Sequence, residues 1–205
     1  MSKKLVMFDF DGVLVNTLES SYQIHKDVND YLTWEKFQDF SNGNFHDGIM
    51  KAVEDGMHKL PENFWEVYDK NIVHLNIHEI LRQTLIDLNK DYVVTIVSSM
   101  RTDLIQKFLN KEKIENNFAD IMGVDFNKSK VVKINTLLDK YKVAPKDAVF
   151  ITDSLGDVLE ANECGVKSIG VLWGLHPRET LEKGKPAHII DNLLFLLDAV
   201  KEVLG

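Results

Sequence analysis

Short apolar, β-branched runs alternate with stretches of helical periodicity along most of this chain, and that alternation restricts the fold more than any other feature. The runs are Leu5 to Phe8, Tyr92 to Val97, Ala148 to Thr152 and Ser168 to Leu172, with weaker ones near Ile121 and at Ile189-Ile190. Their hydrophobicity is continuous, as expected of strands covered on both faces in a parallel sheet. Between them, Ile77, Ile80, Leu81, Leu85 and Leu88 share one helix face, as do Val131, Ile134, Leu138 and Tyr141. Strand alternating with helix predicts a doubly wound α/β fold, in which ligands sit beyond the carboxyl ends of the strands. Chemistry is therefore to be sought just after each strand.

One stretch breaks the alternation. Between about Thr17 and Leu75 the pattern holds only helical segments, carrying Leu18, Tyr22, Val28 and Leu32, then Ile49, Val53, Met57 and Leu60, then Phe64, Trp65, Tyr68 and Ile72. Ser41-Asn42-Gly43-Asn44 forms a turn cluster between the first two, and Pro61 opens the third. The expected organisation is an α/β core of residues 1–15 and 76–205 with a small inserted helical cap of residues 16–75.

Composition narrows the function. The chain has 205 residues, no apolar run near the roughly 18 to 20 residues that span a bilayer, and one cysteine, Cys164, which suits a reducing cytoplasm and excludes an internal disulfide. Its two lysines before an apolar N-terminal stretch resemble a secretory signal, but Asp9 and Asp11 cut that stretch short and it reads as a strand. A formal net charge of −8 and no basic block leave no footprint for nucleic acid. An anionic substrate gains nothing from that field, so a phosphate site has to be built locally from a cation, a few basic side chains and oriented amides.

Four strand ends carry such parts. The first ends in Asp9-Phe10-Asp11-Gly12, two carboxylates that an extended-to-turn backbone points into one pocket; a divalent cation would relieve their repulsion, and two solvated acids in a turn is the plain alternative. The second ends in Ser98-Ser99-Met100-Arg101-Thr102-Asp103 before a helix; Ser98, nearest the tip, is the candidate phosphate ligand, while Ser99, Thr102 and Asp103 fit a helix cap and Arg101 a solvated cation. The third is Asn127-Lys128-Ser129-Lys130, where a lysine opposes the dipole of the helix it opens. The fourth is Asp153-Ser154-Leu155-Gly156-Asp157, which alone reads as an acidic loop with a capping role.

In this order of acid pair, hydroxyl, lysine and acid pair, the chain resembles the haloacid dehalogenase-like (HAD) hydrolase superfamily. Asp9-Phe-Asp11-Gly-Val resembles its first motif, Ser98 its second, a lysine its third and Thr152-Asp153-Ser-Leu-Gly-Asp157 its fourth; the likeness continues through Glu160-Ala161-Asn162-Glu163-Cys164-Gly165-Val166 and Ile169-Gly170-Val171-Leu172-Trp173-Gly174. The helical insertion is similar to the C1-type cap of phosphoglycolate phosphatase-like members. Val13 stands where phosphatases of the family often have Thr, and Asn16 where an acid is common. Lys130 lies 23 residues before Asp153 and Lys128 lies 25 before it; Lys130 is preferred because its helix resembles that of phosphoserine phosphatases.

The resemblance implies an Mg²⁺-dependent phosphatase of small phosphorylated metabolites acting through a phosphoaspartate on Asp9. It implies Asp11 as general acid and base, and Lys130 and the metal as charge neutralisers. Ser98, Ser99 and Lys130 would hold the phosphate. The ion would be held by Asp9, the backbone carbonyl of Asp11 and Asp153, with Asp157 binding through water or from behind. The cap would read the leaving group, with His46, Asp47, His58 and Trp34 as candidates. A phosphosugar mutase on the same scaffold, or a non-catalytic binding module, remain alternatives; a dehalogenase has no use for an acid at position 11. His74, His78, Trp173, His176 and Cys164 read as structural, and oligomeric state is open.

Overall fold

A computed structural model describes residues 4–205, so the start of the core assignment at residues 1–3 lies outside it. Its elements run in chain order β1 (Leu5–Phe8), α1 (Leu18–Lys26), α2 (Trp34–Asp39), α3 (Phe45–Glu54), α4 (Phe64–Ile72), α5 (Glu79–Leu88), β2 (Val93–Val97), α6 (Thr102–Glu112), β3 (Asp120–Met122), α7 (Lys130–Tyr141), β4 (Ala148–Thr152), α8 (Leu155–Glu163), β5 (Lys167–Val171), α9 (Arg178–Leu181), β6 (His188–Ile190) and α10 (Leu196–Leu204). The six strands form one parallel sheet in the order β3-β2-β1-β4-β5-β6. This is the predicted α/β architecture. Among the described residues no helix is long and apolar enough to cross a membrane.

The continuous hydrophobicity of β1 has a direct cause. Val6 and Phe8 face one core, packed with Leu81 and Leu85 of α5, Ile105 and Phe108 of α6 and Val200 of α10. Leu5 and Met7 face the other, packed with Ile134, Leu137 and Leu138 of α7 and Ala161 of α8. All four β1 side chains are fully buried, each adding about 2 kcal/mol of hydrophobic stabilisation. The same strand pairs with β2 on one side and β4 on the other, Phe8 lying level with Ile96 and Ile151. The tips of the three strands therefore end side by side.

Three sequence expectations are corrected. The insertion holds four helices rather than three segments, because Leu32 and Phe37 turn inward onto Leu175 and a separate helix, α2, carries Phe37. Met57 and Leu60 lie beyond the end of α3 and are exposed, so the second apolar pattern is shorter than read. Ser41 to Asn44 accordingly joins α2 to α3. The start of α6 is closed not by Ser99 or Asp103 but from another loop, with the Thr102 amide donating to Asp125 Oδ1 at 2.8 Å.

Candidate active site

The loop after β1 is tightly wound: the Gly12 amide donates to the Val15 carbonyl at 2.8 Å and the Leu14 amide to the Phe10 carbonyl at 3.0 Å. Gly12 has φ +74°, open to glycine and strained for other residues, and a Cβ there would overlap Asp153 Oδ2. Gly174, after β5, brings its backbone against the other side of Asp153, where a Cβ would overlap that of the aspartate. Two glycines thus clasp one buried carboxylate between strand ends distant in sequence. Its Oδ2 accepts the Leu175 amide at 2.8 Å, and its carbonyl accepts the His176 amide at 3.1 Å.

The two candidate lysines are placed differently. Lys130 Nζ is buried between Asp9 Oδ2 at 2.8 Å and Asp157 Oδ2 at 2.6 Å. Lys128 is exposed and lines the mouth of the adjoining cavity. The cost of a lysine at the first position of α7 is met by Glu160 of α8, whose Oε1 accepts the Lys130 amide at 2.9 Å and the Ser129 hydroxyl at 3.3 Å. Burial opposes the Lys130 ammonium, but Asp157 and Asp9 outweigh it and hold the lysine protonated above its usual range.

The carboxylates differ among themselves. Burial raises Asp9 well above the ordinary carboxylate range, with Lys130 pulling down and Asp157 and Asp153 pushing up. Burial and the neighbouring Asp157 push Asp153 up to about 7. Asp157 is lowered, because Lys130 and the hydroxyl of Thr152, 2.6 Å away, outweigh its burial. Burial also raises Asp11, against hydrogen bonds from Thr17 and from Tyr68 of α4, both 2.5 Å from its Oδ1.

Three buried acids and the part-buried Asp11 thus lie around one ammonium that pairs directly with only two of them, and the surplus negative charge suits a divalent cation. Among the described residues no three His, Cys, Asp or Glu side chains converge closely enough to chelate a metal unaided. The donor set fits Mg²⁺, which takes one or two carboxylates and completes its shell with water and phosphate oxygens. Asp9, Asp11 and Asp153 line one cavity, and Asp9 and Asp153 with the Asp11 carbonyl would be the donors to hold it.

These residues floor a cavity of about 420 Å³ roofed by the insertion and lined by Asp9, Asp11, Lys130, Asp153 and Asp157. Of the β2 loop, Ser99 and Met100 line it; Ser98 does not. Ser98 is fully buried beneath the loop, with its Oγ accepting the Met100 amide at 3.0 Å and its carbonyl bonded to Lys133. Of the cap candidates, His46 lines the cavity, while Asp47, His58 and Trp34 do not. His46 Nε2 is buried without a hydrogen-bond partner. His58 stands behind His25, with His25 Nδ1 to His58 Nε2 at 3.0 Å and Tyr31 hydroxyl to His58 Nδ1 at 2.8 Å.

Sequence reading missed Tyr68, Thr17, Lys133 and Glu160, whose polar groups at otherwise apolar or solvent-type positions mark them only once the fold is known. It took His176 as packing, yet its Nδ1 accepts the Leu155 amide at 2.9 Å and its Nε2 lies 3.0 Å from the Gln38 carbonyl, tying cap to core. The Gly156 amide adds a second tie, to the Ser41 carbonyl at 2.8 Å. His78 caps α5 through the Ile80 amide at 3.2 Å, Trp173 Nε1 donates to the Val13 carbonyl at 3.3 Å, and Cys164 is buried between α7 and α8, its thiol pushed up to about 11 by burial.

The model of the haloacid dehalogenase-like hydrolase family matches residues 6–171, which take in all four strand-end motifs. The chain belongs to that family. Among relatives, a phosphoglycolate phosphatase of Vibrio vulnificus is 25% identical over 146 residues, 69% of this chain and 63% of that protein, so the chain spans less than two thirds of its length. A pyrophosphatase PpaX of Bacillus anthracis is 24% identical over 213 residues, 99% of each chain. The solved structure of a hydrolase from Pseudomonas syringae superposes with a TM-score of 0.83 at 18% identity, covering 99% of this chain and 100% of that one. A haloacid dehalogenase-like hydrolase from Streptococcus pneumoniae gives 0.77 at 19% identity over 96% and 98%. This HAD-like hydrolase thus shares its fold with its neighbours over nearly its whole length.

Proposed function

We propose that this HAD-like hydrolase is a Mg²⁺-dependent phosphatase of small phosphomonoesters that transfers the phosphoryl group to Asp9. The observation that carries the reading is the clamp of Lys130 between Asp9 and Asp157 at the floor of a capped cavity, with Asp11 held apart from that clamp by Thr17 and Tyr68. Lys130 neutralises one acid oxygen of Asp9 and would lower the repulsion between nucleophile and phosphoryl oxygens. When bound, Mg²⁺ would supply further charge neutralisation between Asp9, Asp153 and the phosphate.

In the first step a carboxylate oxygen of Asp9 bonds to phosphorus while the ester P–O bond breaks, and Asp11 gives its proton to the leaving alkoxide. Burial raises Asp11, which suits a group that must carry a proton into that step. In the second, Asp11 takes a proton from water, whose oxygen bonds to phosphorus and releases Asp9. Ser99, the amides of the β2 loop and Lys130 hold the phosphoryl oxygens; Ser98 sets the shape of that loop through Met100.

Retention of Asp9, Asp11, Lys130 and Asp153 argues against a non-catalytic module. A mutase would need a second anion site in the cap, and among the described residues no cap lysine or arginine lines the cavity. The test is phosphate release from p-nitrophenyl phosphate with and without Mg²⁺, with the wild-type protein and Asp9→Asn. Release that needs Mg²⁺ and disappears in the variant supports the reading; undiminished release by Asp9→Asn overturns it.

A further inference from the structure

Most of the charge in the cavity proposed to receive the phosphate lies at its floor. Above it, Phe37, Phe45, Ile49, Phe64 and Trp65 of the cap, with Leu175 of the core, make an apolar and largely aromatic wall. Among the described residues that line the cavity, the cap supplies no lysine or arginine, and its one charged group is Glu62. The two cations are Lys130, already paired with two acids, and Lys128 at the mouth, both from the core. Arg101 does not line the cavity; its guanidinium lies 5.8 Å from the centre of the Trp65 ring and pairs with Asp103 at 2.6 Å. Burial holds His25 and His46 at about 4, so both are neutral imidazoles at pH 7 and add no positive charge.

We propose, on the phosphatase reading above, that the natural substrates are phosphomonoesters of uncharged, aromatic-bearing alcohols, and that a leaving group with a carboxylate or a second phosphate is rejected. An anionic leaving group would lose its hydration against phenyl rings and Glu62, with no cap cation and only Lys128 at the mouth to offset the loss. An aromatic body instead exchanges water for ring contacts along a wall of matching size and chemistry. A two-carbon acid would leave most of the roughly 420 Å³ unfilled.

The test compares kcat/KM for 2-phenylethyl phosphate, ethyl phosphate, 2-phosphoglycolate and inorganic pyrophosphate, with Mg²⁺ present. Phenylethanol and ethanol are leaving groups of similar acidity, so their difference reads the wall and not the chemistry. The phenylethyl ester is expected to exceed ethyl phosphate and phosphoglycolate on the order of 100-fold. Leu60→Arg, which adds a cation at a half-exposed position of the cavity wall, is expected to raise the phosphoglycolate-to-phenylethyl ratio about tenfold. Phosphate release that favours phosphoglycolate or pyrophosphate in the wild type overturns the substrate class while leaving the phosphatase intact. Release from none of the four, nor from p-nitrophenyl phosphate, overturns the phosphatase reading and the substrate class with it.

Discussion

Tyr68, on the last helix of the cap, donates its phenolic hydrogen to Oδ1 of Asp11 at the end of the first core strand, and shares that oxygen with Thr17. Tyr68 is 2% exposed, so the bond lies in low dielectric and couples the cap to the proposed proton-transfer group. Both hydroxyls favour the ionised carboxylate and oppose the burial that raises it. Tyr68→Phe removes one donor, so Asp11 moves further up. The acid-side limb of the kcat profile, where Asp11 must be unprotonated to act as base, is expected to shift to higher pH, with kcat lower by about tenfold at neutral pH. An unchanged limb in a folded variant would separate Tyr68 from the chemistry.

Lys130 and Lys128 differ by two positions and should differ widely in effect. Lys130→Met leaves Asp9 and Asp157 facing each other without their shared ammonium, and kcat/KM is expected to fall about 10³-fold or more. Lys128→Met, at the exposed mouth, is expected to cost less than about tenfold. Steady-state kinetics of the two variants with p-nitrophenyl phosphate decides the order.

Gly174 tests how closely two loops must approach. A methyl group there overlaps Asp153 and must displace either the carboxylate or the loop carrying Leu175. Gly174→Ala is expected to destabilise the fold by about 1–3 kcal/mol through overpacking and to reduce turnover about 100-fold through misplacement of Asp153. Thermal unfolding read beside kcat checks both.

His25 links stability to pH. Burial, then the neighbouring His58, lowers it from 6.5 to about 4, so the folded state binds its proton less readily than the unfolded chain. The stabilisation from keeping His25 neutral is complete above about pH 6.5 and is lost as pH falls through about 4. Urea unfolding of wild type and His25→Gln is expected to show their stability difference moving by about 3 kcal/mol against the wild type between pH 7 and pH 4. A difference that stays constant over that range contradicts a buried neutral imidazole.

The backbone architecture was largely legible without coordinates. Leu5 to Phe8 had to be an interior strand because four apolar residues in succession need cover on both faces, and Val6 with Phe8 and Leu5 with Met7 do meet separate cores. Acids placed immediately after Phe8 and Thr152 then had to share one edge of the sheet, since parallel neighbours end on the same side. Spacing along the chain was enough for that. It was not enough to choose between Lys128 and Lys130, because either can open a helix; the choice depends on which ammonium lands between Asp9 and Asp157. Nor did it show that Tyr68, 57 positions from Asp11, reaches that carboxylate, or that the cap's side of the cavity is largely aromatic and, among the described residues, without a lysine or arginine. Periodicity records which face of a helix is apolar, whereas the orientation of the cap helices over the strand ends comes from long-range contacts such as Gly156 to Ser41 and His176 to Gln38. Those contacts form between residues that carry no local sign of each other, and they determine what the cavity can hold.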